Sequence, residues 1–304
     1  MAEIPWNEIV RRIQSRQLTP FLGAGISRPP LPSGGELADA LAHECGYPFR
    51  NRDLMAVSQF MATTLDGAAP KAVVQDIFKR IADPDFADPD QPHTVLASLP
   101  VPVYLTTNYD DYMQKALEAA HRSPHTEVCR WNSALRRRPS VLAETEPDVG
   151  QPVVFHVHGH VDDLDSFVLT EDDYLDFMVN VRRFEAAGEA SLPVLPAKVD
   201  ELISTTSLLF LGYGLRDWDL RVLLRALVEG AERSSQKLGV SVQLAPDDTL
   251  VEELGRDAAL EYLETYFAGL RMRVYWGTAQ QFLIELKQRW DAAVQAPAPA
   301  PAAR

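Results

Sequence analysis

The chain has 304 residues, 46% of them apolar and 24% charged, a balance that suits a soluble globular fold of one large or two small domains. A net charge of −14 and an isoelectric point near 4.9 oppose a phosphate backbone, so direct nucleic-acid binding by this surface is not expected. Cys45 and Cys129 stand far apart without a CxxC pair, Met1 to Val10 holds no apolar leader and no stretch approaches the roughly 18 apolar residues of a membrane span, so the expectation is a cytoplasmic chain without a disulfide framework, cysteine zinc site or membrane insertion.

Ile9, Val10, Ile13 and Leu18 among charged residues predict a short amphipathic helix, followed by a strand over Thr19 to Leu22 that stops at Gly23. After a loop from Ile26 to Gly35, apolar positions such as Leu37, Leu41, Leu54, Val57, Met61, Val73, Ile77 and Phe78 predict two or three helices before the Asp/Pro-rich turn Asp83 to Pro92. Val101 to Leu105 predicts a second strand leading into Thr106, Thr107 and Asn108, and Tyr109 to Ala120 a helix. Asn132 to Gln151, rich in Pro, Arg and Glu, reads as a loop ahead of a strand over Val153 to Val157. Leu208 to Leu211 reads as a fourth buried strand, and Leu220, Leu223, Leu224, Leu227 and Val228 as the stripe of a core-facing helix ended by Gly230. Val274 and Tyr275 suggest a last strand, and Thr278 with Gln281 a capping box before the apolar face of Phe282, Leu286 and Trp290.

Strands that are apolar throughout and separated by helices imply a mostly parallel sheet covered on both faces. The fold class is therefore α/β, doubly wound and Rossmann-like, with a helical insertion over about 46–100. Residues 1–295 are expected to form one domain, and the Ala/Pro run 296–304 a flexible tail or linker.

The chemistry-bearing residues fall at predicted strand ends. Gly23, Ala24, Gly25 and Ser27 follow the first strand, where glycines let backbone N–H groups approach a pyrophosphate; the plainer reading is a tight strand-to-helix turn. Thr107, Asn108 and Asp110 follow the second strand; a carboxamide there can hold a ribose hydroxyl or a water, or Asn108 or Asp110 caps the next helix. In extended backbone His156, His158 and His160 would share one face, and His158, directly before Gly159, is the residue suited to proton chemistry near pH 7, with His156 and His160 open to structural roles. Gly212, Tyr213 and Gly214 end the fourth strand, leaving room for the adenosine half of a dinucleotide, while Asp217 or Asp219 can cap the helix beyond.

Taken in order, Gly23-Ala24-Gly25-Ile26-Ser27, Leu31-Pro32-Ser33, Thr106-Thr107-Asn108-Tyr109-Asp110, His158-Gly159 and Leu211-Gly212-Tyr213-Gly214 resemble the motifs of the sirtuin-like family. The resemblance runs from about Leu18 to Leu227 and is nearest to the bacterial branch that hydrolyses NAD in antiphage defence. It implies that residues 1–295 form an NAD-binding catalytic domain. Gly23, Ala24, Gly25 and Ser27 would contact the phosphates and ribose, Gly212 and Tyr213 would line the adenosine side, and Thr107, Asp110 and Gly214 are expected among the other residues that bind the dinucleotide. It further implies that Asn108 positions the ribose or an attacking water, that His158 acts as general base or orients the ribose hydroxyls, and that NAD is the substrate.

Departures from the family pattern shape the expectation. The two cysteine pairs of the deacetylases are missing, as is their Asp-Phe-Arg element, so no zinc is expected and water is favoured over an acyl-lysine peptide as acceptor. Three alternatives stand beside the hydrolase: an NAD-dependent deacylase, an NAD or ADP-ribose sensor without turnover, and a metal-dependent hydrolase using the His-x-His pair, although all seven histidines precede Val161. Because unrestrained NAD loss is toxic, control by homo-oligomerisation or by a separately encoded partner, Argonaute-like or a translocase, is expected.

Overall fold

The computed structural model describes residues 3–143, 145–186, 196–213, 239–243, 256–269 and 271–295. Its frame is a seven-stranded sheet in the order β3-β4-β2-β1-β5-β6-β7, every pairing parallel. The strands are β1 (Leu18–Leu22), β2 (Val103–Thr106), β3 (His125–Val128), β4 (Val153–His156), β5 (Ser207–Leu211), β6 (Gly239–Gln243) and β7 (Met272–Trp276). β1 is buried at all five positions and sits between β2 and β5. The chain therefore passes from β1 to β2 and on to β3 at the edge, comes back to lay β4 between β3 and β2, and then crosses to the other side of β1 to build the second half from β5. The doubly wound expectation holds. A reversal of winding next to β1 opens a crevice at the carboxyl ends of the strands.

Register decides what meets there. Leu22 pairs with Thr106 and with Leu211, and Thr106 pairs with His156. Four strands thus end level, and the loops that begin at Gly23, Thr107, Val157 and Gly212 leave the sheet in one row.

Alternation along the strands separates two cores. Phe21, Leu105, Phe155 and Phe210 face one layer with Phe177, Val199, Leu263 and Phe267, carried by α7 (Glu171–Ala186), α8 (Ala197–Thr205) and α9 (Arg256–Gly269). Leu22, Tyr104, Val154 and Leu209 face the other, with Ile9, Ile13, Leu96, Leu117, Phe282 and Leu286. Those come from α1 (Trp6–Gln14), α5 (Pro92–Ser98), α6 (Tyr112–Ala119) and α10 (Ala279–Gln295). The capping box of α10 forms as expected: Thr278 N donates to Gln281 Oε1 at 2.9 Å and Gln281 N to Thr278 Oγ1 at 3.0 Å.

Between β1 and β2 lie α2 (Gly34–Cys45), α3 (Leu54–Thr64) and α4 (Ala69–Arg80), then α5. α2 starts on a second capping box, Ser33 with Glu36, and α3 on Asp53, whose carboxylate accepts from Met55 N and Ala56 N. Leu37, Leu41, Val57, Met61 and Val74 form a separate small core closed by Phe167 and Leu169 from the loop after β4. The helical block therefore docks on the loop that carries His158.

Several elements differ from expectation. Leu18 opens β1 rather than closing α1, and α6 begins at Tyr112 rather than Tyr109, because residues 107–111 are held in a loop by their own side chains. β3, β6, α7, α8 and α9 were not read from the sequence. The helix expected over Leu220 to Val228, its end at Gly230, and the 296–304 tail lie outside the described residues. Among the described residues no helix is long and apolar enough to cross a membrane.

Candidate active site

Among the described residues, the loops leaving the row of strand ends line a cleft of about 830 Å³ with its open mouth included. Asn108 and His158, chosen from the sequence, both line it, as do Ala24, Ser27, Thr107, Asp110 and Tyr213. Gly214 lies outside the described residues. Leu31, Pro32, Leu54 and Phe78 wall the cleft from the helical block and the loop before it.

The glycines act differently from the sequence expectation. Gly23 N donates to Leu211 O and Gly25 N to Gly212 O, both at 2.8 Å, and Ile26 N returns to Gly23 O at 3.1 Å. These amides close the two turns against each other instead of pointing at a ligand. A side chain at Gly25 would meet Gly212 O at 2.8 Å, and one at Gly23 the Tyr213 ring at 2.9 Å. Gly212, at φ +79°, adopts a conformation that L side chains rarely take. The glycines thus shape the floor of the cleft, and Ala24 and Ser27 present the turn to it.

Asn108 is fixed on every side but one. Its N–H donates to Thr106 Oγ1 at 3.0 Å, and its side-chain Nδ2 to Gly23 O at 3.2 Å and Ser27 Oγ at 3.1 Å. Gly23 O is a carbonyl and can only accept, so the amide end of Asn108 must face it. Both Nδ2 hydrogens are then engaged, and Oδ1 is the group left to serve the cleft.

The Ser27 hydroxyl donates a hydrogen bond to Asp110 Oδ2 at 2.9 Å, and Asp110 Oδ1 accepts from Tyr112 N at 3.2 Å. Asp110 therefore supports the start of α6 while it ends the chain Asn108–Ser27–Asp110. Burial pushes its carboxyl up to about 6 against the opposing hydrogen bonds from Ser27 and Tyr112. On the other flank Thr107 Oγ1 and Tyr213 OH lie 3.1 Å apart, and Tyr213 OH donates to Leu22 O at 3.1 Å.

The three histidines do not share a face. β4 ends at His156, and Gly159 at φ +105° turns the chain. His156 and His160 meet ring to ring at 4.8 Å, while His158 packs edge-on against Tyr174 at 5.3 Å and Phe177 at 5.4 Å. Desolvation holds the His158 imidazole down at about 3, so it is neutral at pH 7. Tyr174, reaching the cleft from α7, had no short motif to announce it.

Strand ends, crevice and polar lining define a doubly wound α/β protein whose candidate site is built from the loops at the carboxyl edge of its sheet. Within that class the chain belongs to the SIR2-like domain family, whose model matches residues 102–268, more than half of the chain. The match takes in Asn108, Asp110, His158 and Tyr213 and begins after the glycine turn at Gly23. The chain is similar to proteins named NAD(+) hydrolase ThsA. It is 28% identical to the one from Enterococcus faecium over 209 residues, 67% of this chain and 38% of that protein. For the one from Bacillus cereus (strain MSX-D12) the values are 25% over 241 residues, 78% and 45%, and for Acinetobacter baumannii (strain 532279) 25% over 222 residues, 72% and 40%. The matched stretch spans less than half the length of each relative. Among the described residues no group of three or more His, Cys, Asp or Glu side chains is arranged to hold a metal ion.

Proposed function

We propose that this chain is an NAD glycohydrolase that cleaves NAD to nicotinamide and ADP-ribose, and that it serves antiphage defence by depleting NAD. The observation that carries the reading is the convergence of Asn108 and His158 on one cleft in a SIR2-like domain. The relatives' name, NAD(+) hydrolase, supports the same substrate. The catalytic unit is residues 1–295, working in the cytoplasm, with homo-oligomerisation or a separately encoded partner holding it in check.

In the reaction the bond between ribose C1′ and the nicotinamide nitrogen breaks, and its electron pair leaves with nicotinamide. Water then adds to C1′ and gives its proton to solvent. Asn108 Oδ1, an acceptor with its amide end locked away, orients a water or ribose O–H. His158, kept neutral by burial, accepts a hydrogen bond from a ribose hydroxyl and so orients the sugar, which favours orientation over outright proton removal by so weak a base. Ala24, Ser27, Thr107, Asp110 and Tyr213 hold the remaining dinucleotide, and Gly23, Gly25 and Gly212 allow the turns to approach closely enough to do it.

Chromatography of NAD incubated with the full chain tests this. Nicotinamide and ADP-ribose in equal amounts are expected, and intact NAD across assembly states and candidate partners would overturn it.

A further inference from the structure

We infer that His156, which does not line the cleft, is a positioning residue: its imidazole fixes the backbone of Asn108 and thereby the aim of Asn108 Oδ1. The inference rests on the hydrolase reading for its kinetic consequence and on geometry alone for the contact itself.

The β2–β4 register sets Thr106 against His156, so the His156 side chain lies beside the loop that leaves β2. Its Nδ1 is 2.9 Å from Asn108 O and its Nε2 is 2.7 Å from Gln114 Nε2 on α6. A carbonyl oxygen only accepts, so Nδ1 carries the proton; a side-chain amide nitrogen only donates, so Nε2 is bare. Both requirements are met by a single neutral tautomer. The opposite tautomer would set two lone pairs against each other at Asn108 O. His156 is 0% exposed, and burial keeps it neutral, with the His160 ring, 4.8 Å away and perpendicular to it, as its titratable neighbour.

Gln114 supplies a second sign. Its Nε2 also donates to Thr126 Oγ1 at 3.3 Å, and its Oε1 is buried without a partner. Turning the amide over would set Oε1 against the bare Nε2 of His156. The orphaned oxygen is therefore the consequence of serving the imidazole, and it runs the line of support from β3 through α6 and β4 to Asn108. With His156 on its carbonyl, Thr106 on its N–H, and Gly23 and Ser27 on its carboxamide, Asn108 has one direction left for Oδ1.

Two variants and one spectrum test the assignment. An asparagine amide nitrogen overlays imidazole Nδ1, so His156→Asn keeps the donor to Asn108 O, whereas His156→Gln reaches only toward Gln114. In the full chain with NAD, His156→Gln is expected to lose about 100-fold in kcat with KM little changed, as for a slightly misplaced catalytic group. His156→Asn is expected to retain most of the activity, both variants being first confirmed folded by thermal unfolding. In histidine-labelled wild type, nitrogen NMR is expected to show His156 as the neutral Nδ1–H tautomer. Equal losses in the two variants, or an Nε2–H tautomer, would overturn the assignment. If wild type itself leaves NAD intact, the hydrolase reading fails, and the tautomer alone then decides: Nδ1–H upholds the contact and Nε2–H refutes it.

Discussion

The side-chain amide of Asn108 donates to the carbonyl oxygen of Gly23 at 3.2 Å, which joins the end of β2 to the turn after β1. Because Gly23 N is itself held by Leu211 O at 2.8 Å, the same few atoms connect three neighbouring strands at their carboxyl ends. The group proposed to act on the substrate is thus also part of the frame that shapes the cleft.

Replacing Asn108 should separate these two duties. Gly23 O keeps its bond from Ile26 N, so Asn108→Ala leaves no buried carbonyl orphaned and is expected to cost about 1 kcal/mol, the size of a typical hydrogen bond. Turnover should fall by about 100-fold or more, since the loss falls on the group that orients the reactant. Denaturant unfolding and NAD chromatography measure the two effects. A large stability loss with near-normal turnover would assign Asn108 to the frame alone.

His158 leads to a prediction about pH. With its imidazole held at about 3, it stays neutral across the range in which an ordinary histidine titrates. The rate of NAD cleavage should therefore show no histidine limb between pH 5.5 and 8, and His158→Gln, which keeps an acceptor, should retain more activity than His158→Phe. A limb near pH 6.5 that disappears in His158→Phe would show that the imidazole is charged during the cycle.

The central strands and the order of the motifs were legible because β1, β2, β4 and β5 are buried on both faces and so appear as short apolar runs. β3, His-Thr-Glu-Val at the sheet edge, carries polar residues and gives no such run. The role of the glycines was only half legible. A close approach could be foreseen at Gly23 and Gly25, but that the approaching chain is Gly212 rather than a phosphate depends on the β1–β5 register. The same limit applies to the histidines: extended backbone would put three on one face, but the strand ends at His156 and the positive φ at Gly159 then turns the chain, so that His160 meets His156 while His158 packs on Tyr174 and Phe177. Tyr174 and Gln114 reach the site or its support from helices, and no local pattern marks them.

Acid stability follows from three buried imidazoles, since burial lowers His93, His156 and His158 to about 3 each. A depressed histidine pKa means that the unfolded chain binds the proton first, so stability is full above pH 6.5 and is lost as pH falls toward 3, by about 1.4 kcal/mol per unit for each group. Asp110 runs the other way. Its carboxyl, raised to about 6, takes its proton more readily in the folded state, which favours folding as pH falls from 6 toward the ordinary carboxylate range. Three histidines against one aspartate leave a net loss of roughly 3 kcal/mol per unit below pH 6. Urea midpoints from pH 7.5 to 5 should drop accordingly, and Asp110→Asn, which removes the opposing group, should steepen the fall. A flat profile would mean that these imidazoles are protonated in the native state.

Gly212 and Gly46 form a matched pair for testing the packed turns. Both have positive φ, +79° and +65°, so alanine strains the backbone at either site by about 1 kcal/mol. Around Gly46, after α2, nothing lies within 4 Å of an added side chain; at Gly212 it would meet Gly23 O at 2.7 Å and Gly25 C at 3.0 Å. The neighbours there are backbone, which cannot turn aside as a side chain can, so relief requires the two turns to part. Gly212→Ala is therefore expected to cost about 2 to 3 kcal/mol more than Gly46→Ala, the scale of overpacking in a tight site. It should also depress NAD turnover, because Asn108 is anchored on the displaced Gly23 carbonyl. Thermal unfolding of the two variants supplies the difference, and equal losses would mean that the turns give way and that their contact does not set the geometry of the cleft.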